Sequence, residues 1–383
     1  MLREVPTREC RALKATIPGT MTTCFYLLPG ARLPEAAARE AVGTLRASDP
    51  ASLEAWTALG AGREPPGVQR LAEPLHARSP HQAWLWKVLT HRTGAPITAP
   101  YEWIASGGPV LDQEFWKLTP WRRAAGGRIE PLRIPEADIP LAACALDPVA
   151  AAAGLRLMIS GSSFFLCRRT PWALSAMPFE DLSGTADADP LEHLTGEDKP
   201  AAVELMKTLA EAARKTSGDL SELDGFWLSG GGEYAPIFPP STYRSVVCDD
   251  STVLAWAAAA GIPRAVLLPA HSRERDRIRH EKAYAQAPIG DRIVVLDGLF
   301  EPWRCGDWAA WREALPKVLA DLALWRGREK AAGIDSAVFV FFGTDGAATL
   351  MPSPKSLNPL KLFKRSVLPL ESWFVDNFAG EGA

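Results

Sequence analysis

Cysteine is sparse in this chain: six in 383 residues, at positions 10, 24, 144, 167, 248 and 305. No two fall within C-x-x-C spacing, which argues against structural zinc. Stretches such as "FFLC" and "SVVC" set thiols among apolar neighbours, as expected of buried, reduced cysteines. Histidine is equally scarce, at 76, 81, 91, 193, 271 and 280. The trio at 76, 81 and 91 lacks the spacing of three or four that sets two imidazoles on one helix face. No run of about 18 apolar residues is present, so nothing in the sequence looks able to span a bilayer. The opening stretch "MLREVPTRECRALK" lacks a signal peptide's apolar region, and a cytoplasmic location is expected. A net charge of −3, from 42 basic and 45 acidic residues, leaves no overall basic footprint for nucleic acid. G-x-S-x-G is missing, which removes support for a hydrolase nucleophile elbow.

What the chain does have is tryptophan, 14 of them, beside 33 prolines. An indole pairs a large apolar area with an N–H that needs a partner, so the count implies a rigid aromatic core or an aromatic-lined groove. Apolar runs alternate with helical patterns: "MTTCFYLLPGARLP", an Ala-rich helix to about Arg46, helices with loops over 52–94, and helices over 199–215 and 308–325. Strands are expected at "DGFWLS", "RAVLLPA", "DRIVVLDGLF" and "SAVFVFFGTDG", and a hairpin over 154–170 turning at Gly161 and Ser162. Prolines and glycines crowd 95–140, where little regular structure is expected. The pattern predicts an α/β fold, a mostly parallel sheet with helices on both faces.

Ligands of such sheets gather beyond the carboxyl ends of the strands. Four turns qualify: "LLPGAR", "LSGGGEYAP", "LDGLFEPW" and "FFGTDGAA". Consecutive glycines can aim backbone N–H groups at an anion. "SGGG" matches neither a P-loop nor G-x-G-x-x-G, however, and a strand-end turn with positive φ is the simpler reading. Asp297 and Asp345 follow apolar strands and precede glycine, as metal ligands or Asx turns would. "HSRERDRIRHEK" mixes charges like a solvated helix face, whereas Lys355, Lys361, Lys364 and Arg365 make a one-sided basic patch suited to docking an acidic partner.

The succession "LAACALDPVA", "DADPLEHLTGEDKPAAVELMKTLAEAARKTSGDLSELDGFWLSGGGEYAP", "DRIVVLDGLFEPWRCGDWAAWREAL" and "KLFKRSVLPL" resembles proteobacterial proteins of the RpfE regulatory type, often labelled phosphoglycerate mutase. These in turn resemble archaeal-type cofactor-independent phosphoglycerate mutase of the alkaline phosphatase superfamily. The resemblance spans residue 140 onward. It implies an alkaline-phosphatase-like core in two parts, 1–140 and 196–383, around a small β-rich insertion at 141–195. It also makes "GGG" the end of a core strand.

Active mutases of that type resemble one another in a two-metal site of Asp and His with a nucleophilic Ser. Here Leu28 and Pro29 stand where a metal-binding Asp would be wanted, and Asp345 has no His after it. Ser79 in "RSPHQAW" is the nearest nucleophile candidate, and Ala150 replaces the regulatory family's His after "DPV". A two-metal phosphoryl-transfer site needs a dense set of oxygen and imidazole ligands, which the sequence does not supply. The expectation is a non-catalytic, metal-free, cofactor-free regulatory relative. It would bind a protein partner or small anionic ligand at a face built by Pro29, Gly30, Ser229, Gly230, Gly231, Asp297 and Asp345. The alternatives are a metal-dependent mutase or phosphatase with Asp297, Asp307, Asp345 and histidine rearranged, and a structural subunit of a larger assembly.

Overall fold

The computed structural model describes residues 22–376 apart from 65, 71–78, 187–188, 217–218, 264–266, 269–289, 335, 345 and 353–367. The chain divides into two compact units, residues 1–92 with 238–383 and residues 93–237.

In the first unit the all-apolar-to-neutral run TCFYLL forms β1 (Thr23–Leu28), buried at every position. A strand buried on both sides needs neighbours on both edges and helices on both faces. β1 pairs in parallel with β11 (Arg292–Val295) and with β12 (Ser336–Phe342). β9 (Ser245–Val247) and β10 (Leu267–Leu268) continue the parallel set beyond β11. β13 (Gly346–Leu350) and β3 (Gly67–Arg70) add an antiparallel edge, giving the order β10-β9-β11-β1-β12-β13-β3. The mostly parallel α/β sheet expected from the sequence is present, although β3 falls where only helices and loops were expected.

Helices α1 (Glu35–Ser48), α2 (Pro50–Thr57) and α9 (Trp308–Ala331) pack on the Tyr26 and Phe341 face. In α9, Trp311, Leu315, Val318, Leu322 and Trp325 recur at three and four residues and are all buried, a single apolar stripe. Trp56 of α2 is the hub, its ring 5.4 Å from Trp373 and 5.5 Å from Phe341. On the opposite face stand α3 (Pro80–Thr90), where Trp84 meets Phe342, and α7 (Ser251–Ala259), joined to α3 by Trp86 on Trp256. All the tryptophans except Trp172 and Trp308 are buried, so the indoles build a core rather than a groove.

At the amino ends of the strands Arg292 and Glu329 form a buried pair at 3.4 Å. Burial pushes the Glu329 carboxyl up to about 8, against a lowering hydrogen bond from Cys24. Cys24, Cys167 and Cys248 are buried as expected, whereas Cys144 and Cys305 are exposed.

The second unit is an antiparallel sheet of β4 (Glu114–Arg123), β5 (Ile129–Pro131), β6 (Arg156–Ser160), β7 (Ser163–Arg168) and β8 (Gly225–Glu233), with β4 at its centre. Alternation sorts its side chains. Trp116, Leu118, Phe164 and Leu166 point to α5 (Ile139–Ala152) and α6 (Lys199–Arg214). Phe115, Phe165 and Cys167 point to α4 (Ala99–Ala105) and Trp103. The 154–170 hairpin is as expected, with Gly161 at φ 54° in its turn.

The second compact unit, 93–237, contains the stretch 141–195. Two expectations are corrected here. Residues 95–140 hold a ten-residue strand, which Pro120 hid because proline reads as a strand breaker; its carbonyl still accepts the Leu132 N–H at 2.9 Å. Residues 139–152 form a helix through Pro148, burying Ala142, Leu146 and Ala150. Ala150, standing where the resemblance wanted histidine, is core.

Candidate functional site

The glycines of "SGGG" lie inside β8, not at the end of a parallel strand. Phe115 pairs with Gly232 and Lys117 with Ser229, so two steps on β4 face three on β8: a β-bulge. The extra residue explains each glycine. Gly230 sits at φ 63°, a left-handed conformation that glycine adopts at little cost, and its carbonyl accepts the Thr98 N–H at 3.1 Å. A Cβ on Gly230 would overlap the Thr98 hydroxyl, and one on Gly231 would enter the Trp116 ring. Ser229 is buried. Close backbone approach accounts for the glycines at 230 and 231.

Pro29, Gly30 and Asp297 belong to the first unit, while Ser229, Gly230 and Gly231 belong to the second. Asp345 lies outside the described residues, as do His76, His271, His280 and the basic patch from Lys355 to Arg365.

The parallel topology lines up the carboxyl ends of β9, β11, β1 and β12 in the first unit. After β1 the chain turns at Gly30, φ 71°, and this turn is covered. Trp311 donates its indole N–H to the Gly30 carbonyl at 2.8 Å, and Trp303 donates to the Arg32 carbonyl at 3.0 Å. A Cβ on Gly30 would lie 2.7 Å from the Leu299 carbonyl oxygen and 2.8 Å from Trp303. The "LDGLFEPW" segment after β11, continuing into α8 (Phe300–Arg304), thus packs directly on the β1 turn. Asp297 opens that segment, half-buried, its carbonyl accepting the Phe300 N–H at 2.7 Å.

The end of β12 is also closed. The two-residue strand β14 (Val375–Asp376) pairs with β2 (Leu33–Pro34). It delivers the Asp376 carboxylate to Gly343 and Thr344: Thr344 N–H donates to Asp376 Oδ2 at 2.5 Å, and a Cβ on Gly343 would collide with that oxygen. Arg32, itself buried, faces Asp376 at 3.5 Å and donates to the Val375 carbonyl at 2.8 Å. Burial lowers the Arg32 pKa, and the Asp376 charge opposes that shift.

Beyond β9 and β11, Asp250 caps α7 by accepting the Thr252 N–H at 2.8 Å, and its other oxygen accepts from Gln82 Nε2 at 2.8 Å. The neighbouring Cys248 thiol is pushed well up, mainly by burial and also by the charges of Asp250, Asp297 and Asp249. His81, two residues after Ser79 in the first turn of α3, is 5 % exposed, with its ring 4.7 Å from Phe300 and 6.3 Å from Phe342. Its Nδ1 has no hydrogen-bond partner among the described residues, and burial lowers its pKa to about 3.

His81 makes a pH prediction. The unfolded chain binds a proton at this site below about pH 6.5, whereas the folded chain does not until far lower, so stability falls as pH falls from 6.5 towards 3. The slope approaches about 1.4 kcal/mol per pH unit once pH is well below 6.5. His81→Phe, which keeps a ring against Phe300, is expected to flatten that slope in urea titrations at pH 5 to 7 without lowering stability at pH 7. An unchanged slope would place the proton uptake elsewhere.

The two-metal site implied by the sequence resemblance can be compared with these donors. Leu28 and Pro29 are buried and offer no side-chain ligand. Asp250 is engaged by α7 and Gln82, and Asp307 caps α9 through the Ala310 N–H at 2.9 Å. Among the described residues no three His, Cys, Asp or Glu side chains converge as a metal-holding group. The described donors do not fit a two-metal centre. Sequence reasoning weighed His81 only as part of the 76, 81, 91 trio and missed Gln82, Asp250, Arg32 and Asp376; the signals were "PHQ" opening a helix and "CDDST" reading as an N-cap.

No family model and no curated protein matches the sequence. Solved structures do match in shape. The PH0037 protein from Pyrococcus horikoshii superposes with a TM-score of 0.52 at 10 % identity, covering 87 % of each chain. A cofactor-independent phosphoglycerate mutase from Thermoplasma acidophilum gives a TM-score of 0.43 at 11 % identity, covering 92 % of this chain and 94 % of that one. The first likeness shows a shared fold. No described helix is long and apolar enough to cross a membrane.

Proposed function

We propose that this chain is a non-catalytic protein on an alkaline-phosphatase-like core, acting in regulation through a protein partner or a small anionic ligand at the strand-end face of its first unit. The RpfE-type and phosphoglycerate-mutase part of this reading rests on the sequence motifs quoted above. The observation that carries it is the closure of two strand ends by the chain's own groups: Leu299, Trp303 and Trp311 over Gly30, and Asp376 against Gly343. A phosphoryl-transfer crevice needs room for substrate beside its metals. Packed turns instead favour a partner that reads the outside of the face, where Asp297 and Glu301 are accessible. A cytoplasmic setting suits the reading.

A second reading is a rearranged metal-dependent phosphatase or mutase. It is favoured by the carboxylates of Asp249, Asp250 and Asp297, whose charges all act on Cys248. Turnover of 3-phosphoglycerate and of p-nitrophenyl phosphate, each with Mn²⁺ or Zn²⁺, separates the two. The proposal expects no turnover above that of the Asp297→Ala variant. Turnover that Asp297→Ala abolishes would establish the second reading.

A further inference from the structure

The second unit holds a cleft of about 300 Å³ beside the β6–β7 hairpin, lined by Gln113, the Gly154–Leu155 turn, Arg156 and the run Cys167 to Thr170. It contributes nothing to the strand-end face, and its chemistry is one-sided. Arg156, Arg168 and Arg169 line it, and no carboxylate does, in a chain whose net charge is −3. Arg156 stands directly across the ladder from Cys167, so their side chains share one face of the hairpin. Arg168, one residue on from Cys167, turns to the opposite face, over the Trp172 ring at 4.7 Å, where its charge acts on Glu114. Among the described residues the Arg156 guanidinium donates to the weakly accepting Met158 sulfur, at 3.3 Å. Among the described residues none of the three arginines forms an ion pair. Glu114, in register with Arg168, is buried and accepts the Trp172 N–H at 2.9 Å.

Further donors sit on the same wall. Cys167 donates its thiol to Gln113 Oε1 at 3.1 Å, which assigns the other end of that amide as an N–H₂ donor, and Thr170 brings a hydroxyl. Guanidinium forks match phosphate oxygens two at a time, and a cleft of this volume stands at the small end of ligand sites.

We propose that this cleft binds a small phosphate-bearing anion, held by Arg156 and Arg169. The proposal is independent of the function assigned to the first unit. Calorimetric titration of the full chain with inorganic phosphate tests it, with malonate as the carboxylate comparison. The expected result is saturable binding of one phosphate per chain, weakening as NaCl rises. Arg156→Ala and Arg169→Ala should each weaken it about tenfold or more, the loss of a charge-assisted hydrogen bond. Both side chains are exposed, so the variants should melt as the parent does. Absence of saturable binding, or equal affinity in the Arg156→Ala/Arg169→Ala double variant, would overturn the proposal. Malonate binding as tightly as phosphate would overturn the assignment to phosphate.

Discussion

Asp376→Ala is expected to cost about 3–5 kcal/mol of folding stability, the loss seen when one partner of a buried ion pair is removed and the other stays charged. Both side chains of the Arg32–Asp376 pair are nearly inaccessible, at 3 % and 2 %. The carboxylate also accepts the Thr344 N–H, so its removal leaves a backbone donor as well as a guanidinium without their partner. Urea unfolding should show a lower midpoint with the slope unchanged. The double variant Arg32→Met/Asp376→Leu should recover most of the loss, because apolar groups of similar volume replace buried pairs at little cost. A loss below about 1 kcal/mol in the single variant would mean the pair does not close the end of β12 as described.

Gly230→Ala is expected to lose about 2–4 kcal/mol. A left-handed residue with a Cβ costs about 1–2 kcal/mol, and forcing atoms into a filled space adds about 1–3 kcal/mol. Both apply, since φ is 63° and the new methyl would overlap the Thr98 hydroxyl. Thr98→Ala in the same chain should restore the packing part and leave the backbone part. An alanine tolerated within about 0.5 kcal/mol would contradict the bulge and reopen an open loop at "SGGG".

The parallel sheet was legible because its strands are short apolar runs buried on both faces, and β1, β11 and β12 fall where "CFYLL", "RIVV" and "AVFVFF" predict them. The long helix α9 was legible from its stripe, whereas Asp307, read only as a possible ligand, proves to be its N-cap. The second unit was legible in its 154–170 hairpin, its helix α6 and the start of β8, but not in how its sheet is assembled. Its central strand carries Pro120, its helix α5 carries Pro148, and β8 pairs with β4 more than a hundred residues earlier. Local pattern does not encode such pairings. The turns after β1 and β11 were read correctly as turns, but what covers the strand ends comes from far along the chain: Trp311 over Gly30, and Asp376 against Gly343. Asp376, Arg32 and Glu329 read as ordinary surface charges in sequence; only tertiary burial turns them into buried pairs.

In the proposed reading, two strand ends of the first unit are closed by the chain's own groups and the face takes no catalytic metal. Melting the purified chain with and without Mn²⁺ or Zn²⁺, alongside metal analysis of the same sample, tests it most directly, because a ligand that binds only the folded state must raise the melting temperature. The account predicts no stoichiometric metal and no rise beyond that of Asp297→Ala. One or two tightly held metal ions per chain, with a rise that Asp297→Ala abolishes, would contradict it.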